Sequence, residues 1–245
     1  MLITSVENEK IKDVLKLKEK KYRDKTGLFL VEGEHLVLEA HRAGLIETIF
    51  LEQDSVFPVD EEIVCVTKNI LDKLSDVENT PYVMAVCHKK EDSLDLGNRI
   101  LMLDNVQDPG NLGTILRSAK AFDVDTVVLS EATVDLYNPK VIRATQGMFF
   151  HMNVVRRNLV DTIEELKIEE IPIYVTRVEF GEDVRTLKEK DKKKFALVMG
   201  NEGKGVREEV KELADKYIYI GMNQMVDSLN VAVATSILLY ELKVD

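Results

Sequence analysis

Apolar positions recur along this chain at two different periods. Between residues 10 and 21, Ile11, Val14, Leu15 and Leu17 return at helical spacing with lysines between them, which predicts a surface helix. Gly27 ends that polar stretch, and a short apolar run at 28–31 follows. Glu32-Gly33 then turns into a helical segment at 34–43, closed by Gly44 at a C′ position. Further on, 46–51, 63–66 and 83–88 read as strands, with a helix at 68–74 between the last two. Residues 89–98 turn polar and a strongly apolar strand begins at Ile100, so two domains are expected, 1–92 and 98–245. The second repeats the alternation. Strands are predicted near 100–104, 126–129, 153–155, 172–175, 195–199 and 217–220, and helices near 111–122, 159–166, 206–214 and 229–242. Runs such as Ile100 to Leu103 and Phe195 to Met199 have no polar face. They predict an α/β fold with a mostly parallel sheet covered on both sides.

Composition narrows the class. The chain has 245 residues, 45% hydrophobic and 31% charged, with 5 Pro and 12 Gly, which is the profile of a folded protein. No apolar run approaches the roughly 20 residues that cross a bilayer, and residues 1–10 lack a signal peptide's apolar stretch, so a cytoplasmic protein with no membrane span is expected. Cys65 and Cys87 form no CxxC pair and sit in apolar runs, which favours core thiols over a disulfide or zinc. His35, His41, His88 and His151 show no ligand spacing, and no metal is expected. The net charge of −11 excludes a protein that coats nucleic acid indiscriminately. Its distribution is uneven: from Lys10 to Lys25 eight basic residues stand against Asp13, Glu19 and Asp24. Such a stripe is either a solvated helix face or a phosphate-contacting edge.

Three segments carry candidate chemistry. Residues 105–117 leave a strand and enter a helix through Asp108-Pro109-Gly110, with Asn111 as candidate cap, which aims backbone N–H groups at a helix start. Arg117, six residues on, either reaches back over this loop or pairs with a surface acid. Gly200 to Gly205 follows a buried strand; its glycines permit close approach of a ligand or form a plain tight turn, and the spacing is neither a P-loop nor a dinucleotide-binding turn. Residues 220–230 follow another strand and open a long helix, with Ser228 as candidate cap. All three loops are expected at strand C-termini, where open α/β sheets bind ligands.

In this order the three segments resemble the motifs of the SpoU (TrmH-like) branch of the SPOUT RNA methyltransferases. The sequences NLGTILR (111–117), VMGNEGKGV (198–206) and DSLNVAVATSILLYE (227–241) carry the resemblance, and YNPKVIR (137–143) resembles the family's middle section. Residues 1–90 resemble the substrate-binding domain of many members, through their lysine-rich start and FLVEG (29–33), so the likeness spans nearly the whole chain.

The resemblance implies transfer of a methyl group from S-adenosyl-L-methionine to a ribose 2′-oxygen of structured RNA. It implies a C-terminal α/β domain tied in a trefoil knot, preceded by a small α/β RNA-binding domain, and a homodimer with the active site near the subunit interface. The cofactor would be held largely by backbone groups at Gly200, Ile220, Met222 and Leu229. Arg117 corresponds to the family's catalytic arginine; because a guanidinium stays protonated at neutral pH, orientation and charge stabilisation rank ahead of proton abstraction. Asn111, Glu202, Ser228 and Asn230 match the other polar motif positions and are expected to place the substrate and order the loops. Lys18, Lys20, Lys21 and Arg23 in the basic stripe become the expected RNA contacts. Members with the N-terminal domain often act on ribosomal RNA, which favours 23S rRNA; the alternatives are tRNA and a catalytically silent RNA-binding module. Two positions depart from the pattern: Gly221, where proline is common, and Thr145, in a stretch that often carries serine.

Overall fold

The computed structural model describes residues 2–177, 181–223 and 225–244. The chain divides into two compact units: residues 1–91 together with 135–151, and residues 92–134 together with 152–245. Among the described residues no helix is long and apolar enough to cross a membrane.

The first unit contains β1 (Leu2–Ile3), α1 (Glu9–Lys16), α2 (Lys20–Thr26), β2 (Leu28–Glu32), α3 (Glu34–Arg42), β3 (Ile46–Glu52), β4 (Ile63–Val66), α4 (Lys68–Leu74) and β5 (Val83–His88). Its mixed sheet runs β1-β4-β3-β5-β2, with β1, β4 and β3 parallel and β5 antiparallel to both β3 and β2. Ile11, Val14 and Leu17 pack with Phe50, Ile70 and Leu74 in its core, which explains the helical spacing of the first three.

The single helix expected at 10–21 is two helices. Glu19 is extended, and the Arg23 guanidinium donates to the carbonyls of Leu17 (2.8 Å) and Lys18 (2.8 Å), satisfying groups that a continuous helix would have bonded internally. Arg23 also pairs with Asp135 at 2.6 Å and is only 5% exposed.

The second unit contains β6 (Arg99–Leu103), α5 (Pro109–Ala121) and β7 (Thr126–Leu129), after which α6 (Pro139–Thr145) belongs to the first unit. It continues with β8 (Asn153–Arg156), α7 (Leu159–Ile168), β9 (Ile173–Thr176), β10 (Glu182–Asp183), α8 (Glu189–Lys192), β11 (Phe195–Met199), α9 (Glu208–Lys211), β12 (Lys216–Tyr219) and α10 (Val231–Leu242). The expected parallel α/β sheet is present, with seven strands in the order β10-β12-β9-β11-β6-β7-β8 and every pairing parallel. Central strands β6 and β11 are buried at nearly every position, as their unbroken apolar runs required.

Segment 135–151 joins the first unit through its aromatics. Phe29 on β2 lies 4.8 Å from Tyr137, 6.1 Å from Phe149 and 6.3 Å from Phe150, ring to ring. Gln146 and Gly147 are both left-handed, and a Cβ on Gly147 would fall 2.7 Å from that of Glu39, so this turn requires glycine. Thr145 is buried and turned inward: its hydroxyl donates to the Ile142 carbonyl at 2.7 Å.

Candidate functional site

Strands β6 and β11 are neighbours at the point where strand order reverses, since β7 continues on one side of β6 and β9 lies beyond β11. Loops leaving such a point diverge and leave a crevice at the strand C-termini. Here Leu103 and Met199 are in register, and the loops at 104–108 and 200–207 leave from the same end.

Two caps differ from expectation, and the difference bears on the site. Helix α5 is capped by Asp108, whose Oδ1 accepts the Asn111 N–H at 2.7 Å, with Pro109 at the first helical position. Helix α10 is capped by Asn230 rather than Ser228; its Oδ1 accepts from the N–H groups of Ala232 (2.9 Å) and Val233 (3.3 Å). The Asn111 side chain is thereby left available. Its Nδ2 donates to Glu202 Oε1 at 3.0 Å, and its Oδ1 accepts from Asn230 Nδ2 at 2.9 Å. Glu202 also accepts from the backbone N–H groups of Gln107 and Asp108, each at 3.3 Å. Burial opposes ionisation of Glu202, but the Asn111 amide and the surrounding backbone donors together outweigh it and hold its carboxyl below the ordinary range. One hydrogen-bonded chain therefore joins all three motif segments.

Beside this chain lies a cavity of about 600 Å³. Gly200, Glu202, Ile220, Met222, Ser228, Leu229 and Asn230 all line it, so seven of the nine residues expected at the active centre share one cavity. Gly200 is buried at the loop's start, where a Cβ would sit 2.2 Å from the Gly205 carbonyl carbon and 2.3 Å from the Val206 nitrogen. No other residue lets the loop close this tightly. Among the described residues, the N–H groups of Met222 and Leu229 donate to no protein acceptor, which leaves them available to a ligand. Gln224, within the third segment, lies outside the described residues.

Arg117 stands apart. It is exposed on α5, does not line the cavity, and its guanidinium has no partner among the described residues. In the basic stripe Lys18 pairs with Asp76 at 2.8 Å and Lys21 with Glu19 at 2.9 Å, while Lys20 is exposed. Buried Arg23 differs from all three. Sequence reading passed over Asp104, Asn105, Arg177, Asn201 and Arg207. Arg177 lines the cavity, its guanidinium 4.8 Å from the centre of the Tyr217 ring. The available signal was position: each follows directly on an apolar strand or bounds the glycine-rich turn.

Residues 98–240 match the SpoU rRNA Methylase family, and residues 8–85 match the MRM3-like substrate binding domain. The 23S rRNA (guanosine(2553)-2′-O)-methyltransferase RlmP of Bacillus subtilis is 41% identical over 98% of each chain. Among solved structures, the AdoMet-bound rRNA methyltransferase from Sinorhizobium meliloti is 30% identical with a TM-score of 0.88, covering 99% of this chain and 97% of that one. The SpoU methyltransferase AviRb of Streptomyces viridochromogenes, in complex with AdoMet, is 26% identical with a TM-score of 0.84, over 96% and 97%.

Proposed function

Because this chain belongs to the SpoU rRNA methylase family, we propose that it transfers the methyl group of S-adenosylmethionine to a ribose 2′-oxygen of 23S ribosomal RNA. The observation that carries the reading is the cavity at the strand C-termini, lined by the second and third motif segments and joined to the first through the hydrogen bonds of Asn111 to Glu202 and Asn230. The cofactor fits these residues: the volume lies within the ordinary range for small-molecule sites. Met199, Ile218 and Leu238 give an apolar lining, and Met222 and Leu229 offer backbone donors. The substrate class is supported by the Bacillus subtilis relative, whose guanosine is the first position to test.

When bound, the cofactor supplies a methyl group already activated on a sulfonium, so the protein has chiefly to align and exclude water. Ile220 and Leu229 cover apolar surface at the cavity, while Glu202 and Asn230 on its wall hold the Asn111 side chain by hydrogen bonds. Arg117, which lies outside this cavity, is assigned to the ribose oxygen of the docked RNA, where its guanidinium donates a hydrogen bond and stabilises the negative charge that develops. The hydroxyl proton passes to water. Lys20 and Lys21, exposed on α2, contact RNA phosphates, joined by Lys18 when it exchanges Asp76 for RNA.

The active form is a homodimer. Helix α10 is apolar almost throughout, yet Val233 and Tyr240 are exposed, as are Met225 and Val226 before it; a second copy of this chain would cover that face. The knot belongs to the same proposal, supported by the return of α10 from the sheet to pack on α5. Calorimetry with S-adenosylmethionine, then label transfer to unmodified 23S rRNA and separately to bulk tRNA, tests the function. Binding with label in 23S rRNA is expected. Label in tRNA alone would move the substrate, and binding without any transfer would favour a silent RNA-binding module.

A further inference from the structure

Outside the cavity lies a second set of contacts whose arrangement is hard to account for as packing alone. Asp104, the first residue after β6, is fully buried. A carboxyl group so placed needs hydrogen-bond partners in exchange for the water it has lost. Both donors to it among the described residues come from one residue: the Arg207 backbone N–H reaches Oδ2 at 2.8 Å and the Arg207 Nε reaches Oδ1 at 2.7 Å. Asp104 also donates its own N–H to the Met199 carbonyl at 2.8 Å. At the other end of the glycine-rich loop, Asn201 Nδ2 donates to the carbonyl of Asn105 at 2.8 Å. The two ends of the 200–207 loop are therefore fastened to two consecutive residues, 104 and 105, which begin the loop that carries Asn111.

Between those anchors the loop closes on itself. Asn201 and Gly205 exchange backbone hydrogen bonds at 3.0 and 2.9 Å, and Asn201 Oδ1 accepts from the N–H groups of Gly203 and Lys204, both at 3.0 Å. Glu202 is then aimed at Gln107, Asp108 and Asn111. Neither Asp104 nor Arg207 lines the cavity.

We propose that Asp104 and Arg207 are a positioning pair that holds the 200–207 loop in its cofactor-accepting shape and ties that shape to the Asn111 loop. The inference rests on the cofactor reading above. Arginine suits the task because one side chain, fixed by its own backbone N–H on the same carboxylate, presents a directional Nε donor; a lysine ammonium is a point charge on a flexible stem. The outer nitrogen, Nη1, pairs with exposed Glu209 at 2.6 Å and plays no part.

The test uses the full chain. Cofactor affinity is measured by calorimetry without RNA, and KM and kcat by label transfer, for wild type, Arg207→Ala, Arg207→Lys, Asp104→Asn and Glu209→Gln. Wild type is measured first, since failure to bind sinks the functional reading; the amide NMR shifts of Gly203 and Lys204, read without cofactor, test the pair separately. Arg207→Ala should weaken cofactor binding about tenfold, the scale of a lost charged hydrogen bond. It should raise KM for the cofactor in step, shift the Gly203 and Lys204 amides, and leave kcat at saturation within about threefold. Arg207→Lys should recover part of the affinity, Asp104→Asn should resemble Arg207→Ala, and Glu209→Gln should match wild type. Unchanged affinity and unchanged amides in Arg207→Ala overturn the proposal. So does a loss of RNA affinity alone, which would make Arg207 a phosphate contact, or an affinity loss that Arg207→Lys does not relieve and that follows a lowered melting temperature.

Discussion

In the first unit ion pairs fasten segments far apart in the chain, whereas in the second the hydrogen-bonded chain at the cavity is built from amides, backbone groups and Glu202, and some cations near it lack an acidic partner. Arg23 with Asp135, and Glu39 with His151 and Arg42, fasten segments of the first unit, and Lys10, Lys12, Lys16 and Lys18 each pair with an acid. In the second unit Arg117, Arg177 and Lys204 have no acidic partner among the described residues. The first arrangement holds residues 135–151 against helices α2 and α3, more than a hundred positions earlier. The second leaves Arg177 and Lys204 at the wall of a cavity and Arg117 exposed outside it. Basic residues thus serve opposite ends, and sequence composition counts them alike.

Arg117→Ala should break the contrast hardest. It should lower kcat by about 10³-fold, the scale of a lost transition-state stabiliser, with cofactor affinity within about twofold by calorimetry. Equal loss of both would make Arg117 structural. Next in size, Arg23→Ala should destabilise the protein by about 3 kcal/mol in a denaturant titration, because Asp135 would remain largely buried without its partner. A change under 1 kcal/mol would show that the pair is not what fastens residue 135. Gly200→Ala should cost about 2 kcal/mol of cofactor binding through overpacking, since its Cβ would overlap the Gly205 and Val206 backbone; unaltered binding would mean that the loop can relax.

The smallest effect sharpens the comparison through pH. Burial opposes ionisation of Glu39, yet His151 and Arg42 outweigh it and hold its carboxyl low, as backbone and amide donors do for Glu202. A folded-state pKa depressed below the unfolded value contributes stability that is present above the unfolded value, near 4.5, and lost as pH falls through the folded one. Acidification should therefore loosen both places. The amide NMR shifts of Gln107 and Asp108 should titrate together below the ordinary carboxylate range, and Glu202→Gln should abolish that titration; a midpoint at or above the ordinary range would contradict the hydrogen-bond account.

Elements with one clear period were legible. The strands at 63–66, 126–129 and 195–199 and the helix at 68–74 stand where the apolar pattern put them, because burial on a regular element leaves a regular trace. The break between α1 and α2 was not, since it depends on Arg23 reaching back to carbonyls that no periodicity marks. Helix α6 was missed although Asn138 and Pro139 are a cap and a first-turn proline. At the site the motif glycines and polar residues were legible as a set, but which asparagine caps which helix, and hence which amide is left to bond Glu202, is decided by contacts between segments about a hundred positions apart. Asp104 was hidden for the same reason: an acid after an apolar strand reads as a turn until its donors are seen. The membership of 135–151 in the first unit also bears on design, since deleting residues 1–90 would strip Phe149 and Phe150 of Phe29. Point substitutions separate the units more cleanly.

The most direct test of methyl transfer to a ribose oxygen is alkaline hydrolysis of 23S rRNA after incubation with the protein and methyl-labelled S-adenosylmethionine. A 2′-O-methyl group blocks cleavage at the adjacent phosphodiester, so the account predicts label in an alkali-resistant dinucleotide, absent with Arg117→Ala. Label released entirely as mononucleotides would place the methyl on a base and contradict it.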